Sequence, residues 1–410
     1  MHRLIEKFYA LGPVKRLILV ILMIFSVSLT TTAYSFYNMS LAVKEMMSTG
    51  DKNMPYLSAE EINKNIASPF VPEHIYKAVE AIDYLAELSR KIEVKNSKSI
   101  EMDFDFAGLG QEQNAELVEN IAALGKLQWE EISILSSSQI DPFDFEDGLL
   151  NFKNLRYASR LMSRYIEYIK EESPEQETAA VFASMLKLGR ITEAMSPYLI
   201  GKMIALALDG IAIRPFKRCY GAVNELQPKT SLFDLNLVSA SEAAEMKKEL
   251  LKSLKLEAPF HRSLKSEFVF FKQFAAKLYE KAPLAAYILN QIFGNPESEY
   301  KQIIERPADK DLLMKTLQGW KNPVLLIAVP NFTRAYQGFQ ERQAQKAVLA
   351  AELSAIAGEN EQIRDPFSNG MIKSLEVDGI TKFYSVGPDG IDDKLGNDDV
   401  SLYLIEKKEP

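Results

Sequence analysis

Twenty consecutive residues without a charge, Leu17 to Phe36 (LILVILMIFSVSLTTTAYSF), constrain this chain more than any other feature. At about 1.5 Å of rise per residue, a helix of that length spans the roughly 30 Å of a bilayer core. Arg3, Lys7, Lys15 and Arg16 precede the run against Glu6 alone. A Lys/Arg excess of this kind holds its flank in the cytoplasm. Residues 1–16 are therefore expected to be a cytoplasmic basic segment and 17–37 a transmembrane signal anchor, with the remainder exported. A cleaved signal peptide is the competing reading, because the densest apolar stretch, Leu17 to Phe25, is short and Thr31-Thr32-Ala33 offers a weak small-residue cleavage site.

Composition narrows what the exported part can be. The 410 residues carry 48 Lys+Arg against 56 Asp+Glu, a net charge of −8, and are 47% hydrophobic. Two to three compact units follow, and a disordered chain is excluded. The acidic balance argues against nucleic acid as a partner, since phosphate binding needs clustered Lys and Arg. Cys219 is the only cysteine, so neither an internal disulfide nor a thiolate zinc site is possible. His2, His74 and His261 are the only histidines, and no two share the i, i+4 spacing of a helical metal site. No Gly-rich phosphate loop, G-x-S-x-G or H-E-x-x-H occurs.

The middle of the chain reads as helical. Ser58 with Glu61, Ser173 with Gln176 and Ser239 with Glu242 have capping-box spacing, and Ser173-Pro174 and Ser196-Pro197 put proline at a first helical position. Ile75, Val79, Ile82 and Leu85 predict one buried face, and Leu155, Ala158, Leu161, Met162 and Tyr165 another. The segment Pro197 to Ile213 is apolar nearly all round and is expected to be a central buried helix in a bundle. Phe268, Phe271, Phe274 and Leu278 form an aromatic stripe that ordinary core packing explains. Asp141, Asp144, Glu146 and Asp147, in a Pro- and Gly-bearing acidic stretch, are the weak acid candidates for an enzyme, with His261 as a base. They read more simply as a solvated loop.

From Asp365-Pro366-Phe367-Ser368-Asn369-Gly370 onward the pattern changes to turns and short strands. Met371 to Val377, Thr381 to Val386 and Val400 to Ile405 predict three antiparallel strands, with Asp378-Gly379 as a hairpin turn. Between the last two lies VGPDGIDDKLGNDD, residues 386–399, with five Asp, three Gly and one Lys. Oxygen ligands on a Gly-rich loop suit calcium, although the spacing is not that of an EF-hand; a solvated acidic turn is the alternative.

Asp365-Pro366-Phe367, Phe383-Tyr384-Ser385-Val386-Gly387-Pro388-Asp389-Gly390 and Asn397-Asp398-Asp399-Val400 together resemble the C-terminal segment of the major pseudopilins of type II secretion. That resemblance implies a structural Ca²⁺ held by the Val386 carbonyl and by Asp389, Asn397, Asp398 and Asp399. It does not extend to the N-terminus, where the family's processing glycine and following Phe and Glu have no counterpart around Gly12-Pro13. The chain as a whole resembles uncharacterised bacterial membrane-anchored envelope proteins with segments like Phe182 to Arg190 and the same YSVGPDG ending, a set with no activity to carry over. The expected fold is mainly α: an N-terminal transmembrane helix, an extracytoplasmic helical bundle or irregular helical array over 38–331, and over 332–410 a helix carrying a small antiparallel β-sheet. The expected role is a single-pass inner-membrane protein, N-terminus cytoplasmic, whose periplasmic bulk binds an envelope partner as a scaffold. An extracytoplasmic enzyme, or an accessory part of a secretion or pilus-like machine, is the alternative.

Overall fold

The computed structural model describes residues 73–94, 103–132, 151–172, 178–195, 199–216, 218–220, 238–257, 279–293, 332–368, 370–377, 380–396 and 398–405, with single positions within 34–41, 260–276 and 295–301. Apart from Tyr34 and Tyr37, the run 17–37 lies outside them, and among the described residues no helix is long and apolar enough to cross a membrane. The chain divides into two compact units, Met1–Glu60 with Glu267–Phe332, and Glu61–Ser266 with Thr333–Pro410. In the first, Phe268 stacks on the buried Tyr300 with ring centroids 5.0 Å apart, the packing role expected of the stripe; Phe271, Phe274 and Leu278 lie outside the described residues.

The second unit is built on helices α1 (Glu73–Ile92), α2 (Gln111–Gly125), α3 (Phe152–Glu172), α4 (Thr178–Met195), α5 (Leu199–Ile213) and α6 (Ala240–Leu256). The first unit contributes α7 (Pro283–Phe293), and α8 (Phe332–Ile356) leads into the C-terminal strands. The predicted stripes face the core: Ile82 and Leu85 of α1, and Leu155, Ala158, Leu161, Met162 and Tyr165 of α3, are all buried. Ser239 caps α6 as expected, its hydroxyl accepting from the Glu242 amide at 3.3 Å while the Glu242 carboxylate accepts from the Ser239 amide at 3.1 Å.

Helix α5 is largely buried, as expected, but the most completely buried helix is α4. Helix α4 packs against α2, α3, α5 and α6, and every residue from Val181 to Ala194 is buried. Helix α5 instead leaves Ile200 and Met203 exposed. Position, not hydrophobicity, decides this, because α4 buries Lys187, Arg190 and Glu193 along with its apolar residues.

Those charges close a ring. Arg190 and Glu193 of α4, Lys202 and Asp209 of α5, Glu257 just beyond α6, and Lys346 of α8 alternate in sign. Arg190 meets Asp209 at 2.5 Å, Asp209 meets Lys346 at 2.8 Å, Lys346 meets Glu257 at 2.6 Å, and Glu257 meets Lys202 at 3.2 Å. Lys202 then pairs with Glu193, and Glu193 returns to Arg190. No member's side chain is more than 5% exposed. Taking ions out of water costs several kcal/mol each, recovered only when each charge meets opposite charges in good geometry. Phe182, Met185, Leu186, Leu188 and Ile191, all fully buried on the same helix, contribute roughly 1.5–3 kcal/mol apiece, enough to offset much of that cost. Close approach is required: a side chain at Gly189 would put its first carbon 2.8 Å from Asp209 Oδ1.

The C-terminal sheet has strand order β4 (Lys373–Val377), β5 (Ile380–Ser385), β6 (Val400–Ser401), all antiparallel. Val377 faces Ile380, the register of the expected two-residue hairpin, although Asp378 and Gly379 lie outside the described residues. The third predicted strand breaks at Leu402, and its second half, β7 (Tyr403–Ile405), pairs in parallel with β3 (Arg218–Tyr220), which follows α5. A second latch is Lys247 of α6, which meets Glu359 and, at 2.6 Å, Glu361. Short paired strands β1 (Glu93–Val94) and β2 (Asp103–Phe104) link α1 to α2.

Burial alone would raise the Glu257 carboxyl, but Lys346, then Arg190 and Lys202, hold it well below its ordinary value of 4.5. A depressed folded value means that the ionised Glu257 stabilises the fold fully above about pH 4.5, and that this contribution is lost as pH falls toward the folded value. Urea midpoints measured from pH 7 to pH 3 are therefore expected to fall below about pH 5, and Glu257→Gln is expected to flatten that acid limb.

Candidate metal centre

Asp365 organises the approach to the acidic loop. Its buried carboxylate accepts from the Phe367 amide at 2.8 Å, the Ser385 hydroxyl at 2.8 Å and the Val386 amide at 3.0 Å, while its own amide donates to the Gly370 carbonyl at 3.1 Å. One side chain thus closes the Asp365–Gly370 turn and fixes the end of β5 where the loop leaves it. Charged acceptors of this kind are worth more than neutral ones, and the donors would be left unsatisfied without them.

The loop then folds back on itself. Gly387 has φ of 72° and Gly390 of 70°, conformations that a side chain resists, and Gly390 donates to the Gly387 carbonyl at 3.2 Å. At Gly387 glycine is also demanded by space, because an added carbon would lie 2.3 Å from the Asp398 carbonyl oxygen. That approach joins the two ends of the loop. The Asp389 amide donates to Asp398 Oδ2 at 3.2 Å, and the Ile391 amide to Asp389 Oδ1 at 2.8 Å. Lys394 and Leu395 also sit in the left-handed region, with φ of 53° and 70°.

This folding brings together Asp389, Asp393 and Asp398, each offering a carboxylate oxygen within 4.8 Å of the others. Of the five expected ligands, Asp389 and Asp398 belong to the cluster. Val386 lies buried at the loop's first turn with its amide committed to Asp365. Asp399 accepts from the Leu395 amide at 2.8 Å through Oδ2, while Oδ1 is buried without a hydrogen-bond partner. Asn397 lies outside the described residues. Asp393 was not singled out by the sequence. Its only signal there is membership of the run of aspartates, because the left-handed turn at Lys394 and Leu395 is not written in residues that favour it.

The electrostatics fit a cation. Burial, and then the neighbouring Asp392 and Asp393 carboxylates, push the Asp399 carboxyl above its ordinary value despite the hydrogen bonds it accepts. Asp392 is lowered by its hydrogen bond from the Tyr384 hydroxyl, at 2.7 Å. Crowded carboxylate oxygens of this sort are the hard-oxygen donors that Ca²⁺ takes. The charge ring offers no comparable opening, since its members are sealed from solvent and bonded to one another. Asp141, Asp144, Glu146, Asp147 and His261 lie outside the described residues. Comparison with protein-family models, curated proteins and solved structures finds no match to the chain.

Replacing Asp365 by Ala removes the acceptor from three donors at once. It is expected to cost about 2–4 kcal/mol in urea unfolding, whereas Tyr384→Phe, which deletes a single part-buried hydrogen bond to Asp392, costs about 1 kcal/mol.

Proposed function

We propose that the chain is a membrane-anchored extracytoplasmic interaction or scaffold protein whose C-terminal module is stabilised by calcium. The observation that carries the reading is the Asp389, Asp393 and Asp398 cluster, set in a loop between β5 and β6 of a sheet that is latched to the helical unit through β7 and Lys247. Asp389, Asp393 and Asp398 would hold the ion, with the unpartnered Oδ1 of Asp399 as a further donor close to them in sequence. Bound there, the ion would neutralise carboxylates that otherwise repel one another and would pin both ends of the loop. Its role is conformational: a loop folded around an ion presents one fixed surface.

The uncharged run Leu17 to Phe36 behind a basic flank supports an anchor in a bacterial inner membrane, with lipid contacted through residues 17–37. The tail's resemblance to pseudopilins supports an envelope location and an envelope protein as partner. The charge ring supports scaffolding in a different way, because it spends six ionisable groups on holding helices rather than on exposed chemistry.

Thermal unfolding of the full chain in detergent, in calcium and in chelator, tests the reading. An ion that binds only the folded loop at 100 times its Kd adds about 2.7 kcal/mol. The melting temperature should rise by several degrees in calcium, and Asp389→Ala, Asp393→Ala and Asp398→Ala should each abolish the rise. Equal melting temperatures in calcium and chelator would refute the calcium module. Capture from solubilised membranes should also return one partner at comparable stoichiometry.

A further inference from the structure

A cleft of about 660 Å³ opens on the second unit, walled by α2, α4 and α6 with Tyr165 and Ile169 of α3. That volume is typical of sites for small molecules. Its lining is mixed: Val118, Ile121, Val181 and Ile169 form an apolar wall, and Lys187 of α4 stands among the polar groups that share the cleft. Lys187 is only 7% exposed. Its ammonium donates to the Gly125 carbonyl at 2.5 Å and lies 5.6 Å from the centre of the Trp129 ring. An ammonium has three N–H donors, so one carbonyl and one ring face leave it without a counter-charge.

Glu249, Glu130 and Glu131 act on Lys187 only at a distance, without an ion pair, and Lys252 opposes them. Glu249 accepts from Trp129 Nε1 at 2.6 Å and from Lys252 at 2.9 Å, so its charge is already matched. Among the described residues no carboxylate pairs with Lys187. The lining carries Lys126, Lys187 and Lys252 against Glu245 and Glu249, a surplus of one positive charge. Desolvation makes a single buried cation expensive to leave unmatched, and a single negative charge suffices to match it.

We propose that this cleft binds a small amphiphilic monoanion, an aliphatic or aryl-aliphatic carboxylate, its head on the Lys187 ammonium and its tail along the apolar walls of α2 and α4. A phosphate dianion fits less well, because Lys252 is committed to Glu249. The site is separate from the acidic loop and independent of the calcium reading.

Gly125 is the last residue of α2, so Lys187 also caps that helix, and the test must separate capping from ligand binding. Lys187→Gln keeps a donor for the carbonyl and removes the charge. Ala180→Phe, at an exposed lining position, fills the cleft without removing any polar group. The chain has two tryptophans, and Trp320→Phe leaves Trp129 in the cleft wall as the sole indole reporter. Octanoate, titrated against the full chain carrying that change, should alter Trp129 fluorescence saturably. Affinity should fall at least tenfold in Lys187→Gln, at least tenfold in Ala180→Phe, and at least tenfold when neutral octanamide replaces octanoate. No saturable response to octanoate, or an octanoate affinity unchanged in Lys187→Gln, would overturn the proposal.

Discussion

Six buried charges that close on one another are the constraint from which the helical unit takes its shape. Each carboxylate of the ring meets at least two cations, and each cation at least two carboxylates, with Arg190 also 3.9 Å from Glu257 across the ring; they are drawn from α4, α5, the residue beyond α6, and α8. Hydrophobic contacts tolerate a helix sliding or turning by a fraction of its pitch, whereas a desolvated ion displaced from its partner costs several kcal/mol. The ring therefore selects one arrangement of four segments among the many that would bury similar apolar area. The aromatic residues around it complete the exclusion of water: Lys202 lies 4.4 Å from the centre of the Phe339 ring, and Phe260 packs on both Tyr336 and Phe339.

The same helices carry the consequences outward. Helix α5 leads through a short turn, Arg214–Phe216, to β3, and β3 receives β7, so the strand that ends the acidic loop's sheet is held by a segment the ring has positioned. Lys247, on the helix that ends beside Glu257, holds the chain leaving α8 through Glu359 and Glu361. The C-terminal sheet is thus an extension of the helical unit. Three strands alone would be marginal in water, and these attachments, with Leu402 and Ile363 in the main core, supply the packing they need.

Much of this was legible in the sequence wherever the information was local. The stripes of α1 and α3, the Ser239 cap and the β4–β5 register follow from periodicity and turn residues a few positions apart. The complete burial of α4 was not legible, because Lys187, Arg190 and Glu193, three residues apart, imitate the solvated face of an amphipathic helix. Their burial depends on partners far along the chain, such as the Gly125 carbonyl, 62 residues before Lys187, and the Glu257 carboxylate beside Arg190. The parallel pairing of β7 with β3 is hidden for the same reason. In the acidic loop the composition announced oxygen ligands, but which aspartates converge is set by left-handed turns at Lys394 and Leu395, residue types that give no sign of that conformation.

The claim that the ring is a cooperative clamp is tested most directly by a double-mutant cycle across the Glu257–Lys346 pair, read by equilibrium urea unfolding. Glu257→Leu and Lys346→Met each strand a buried opposite charge and should cost about 3–5 kcal/mol. Because each substitution removes what makes the other harmful, the double variant should lose less than the sum by about 1–3 kcal/mol. Losses that add within about 0.5 kcal/mol would show the two charges to be energetically independent and would contradict the account.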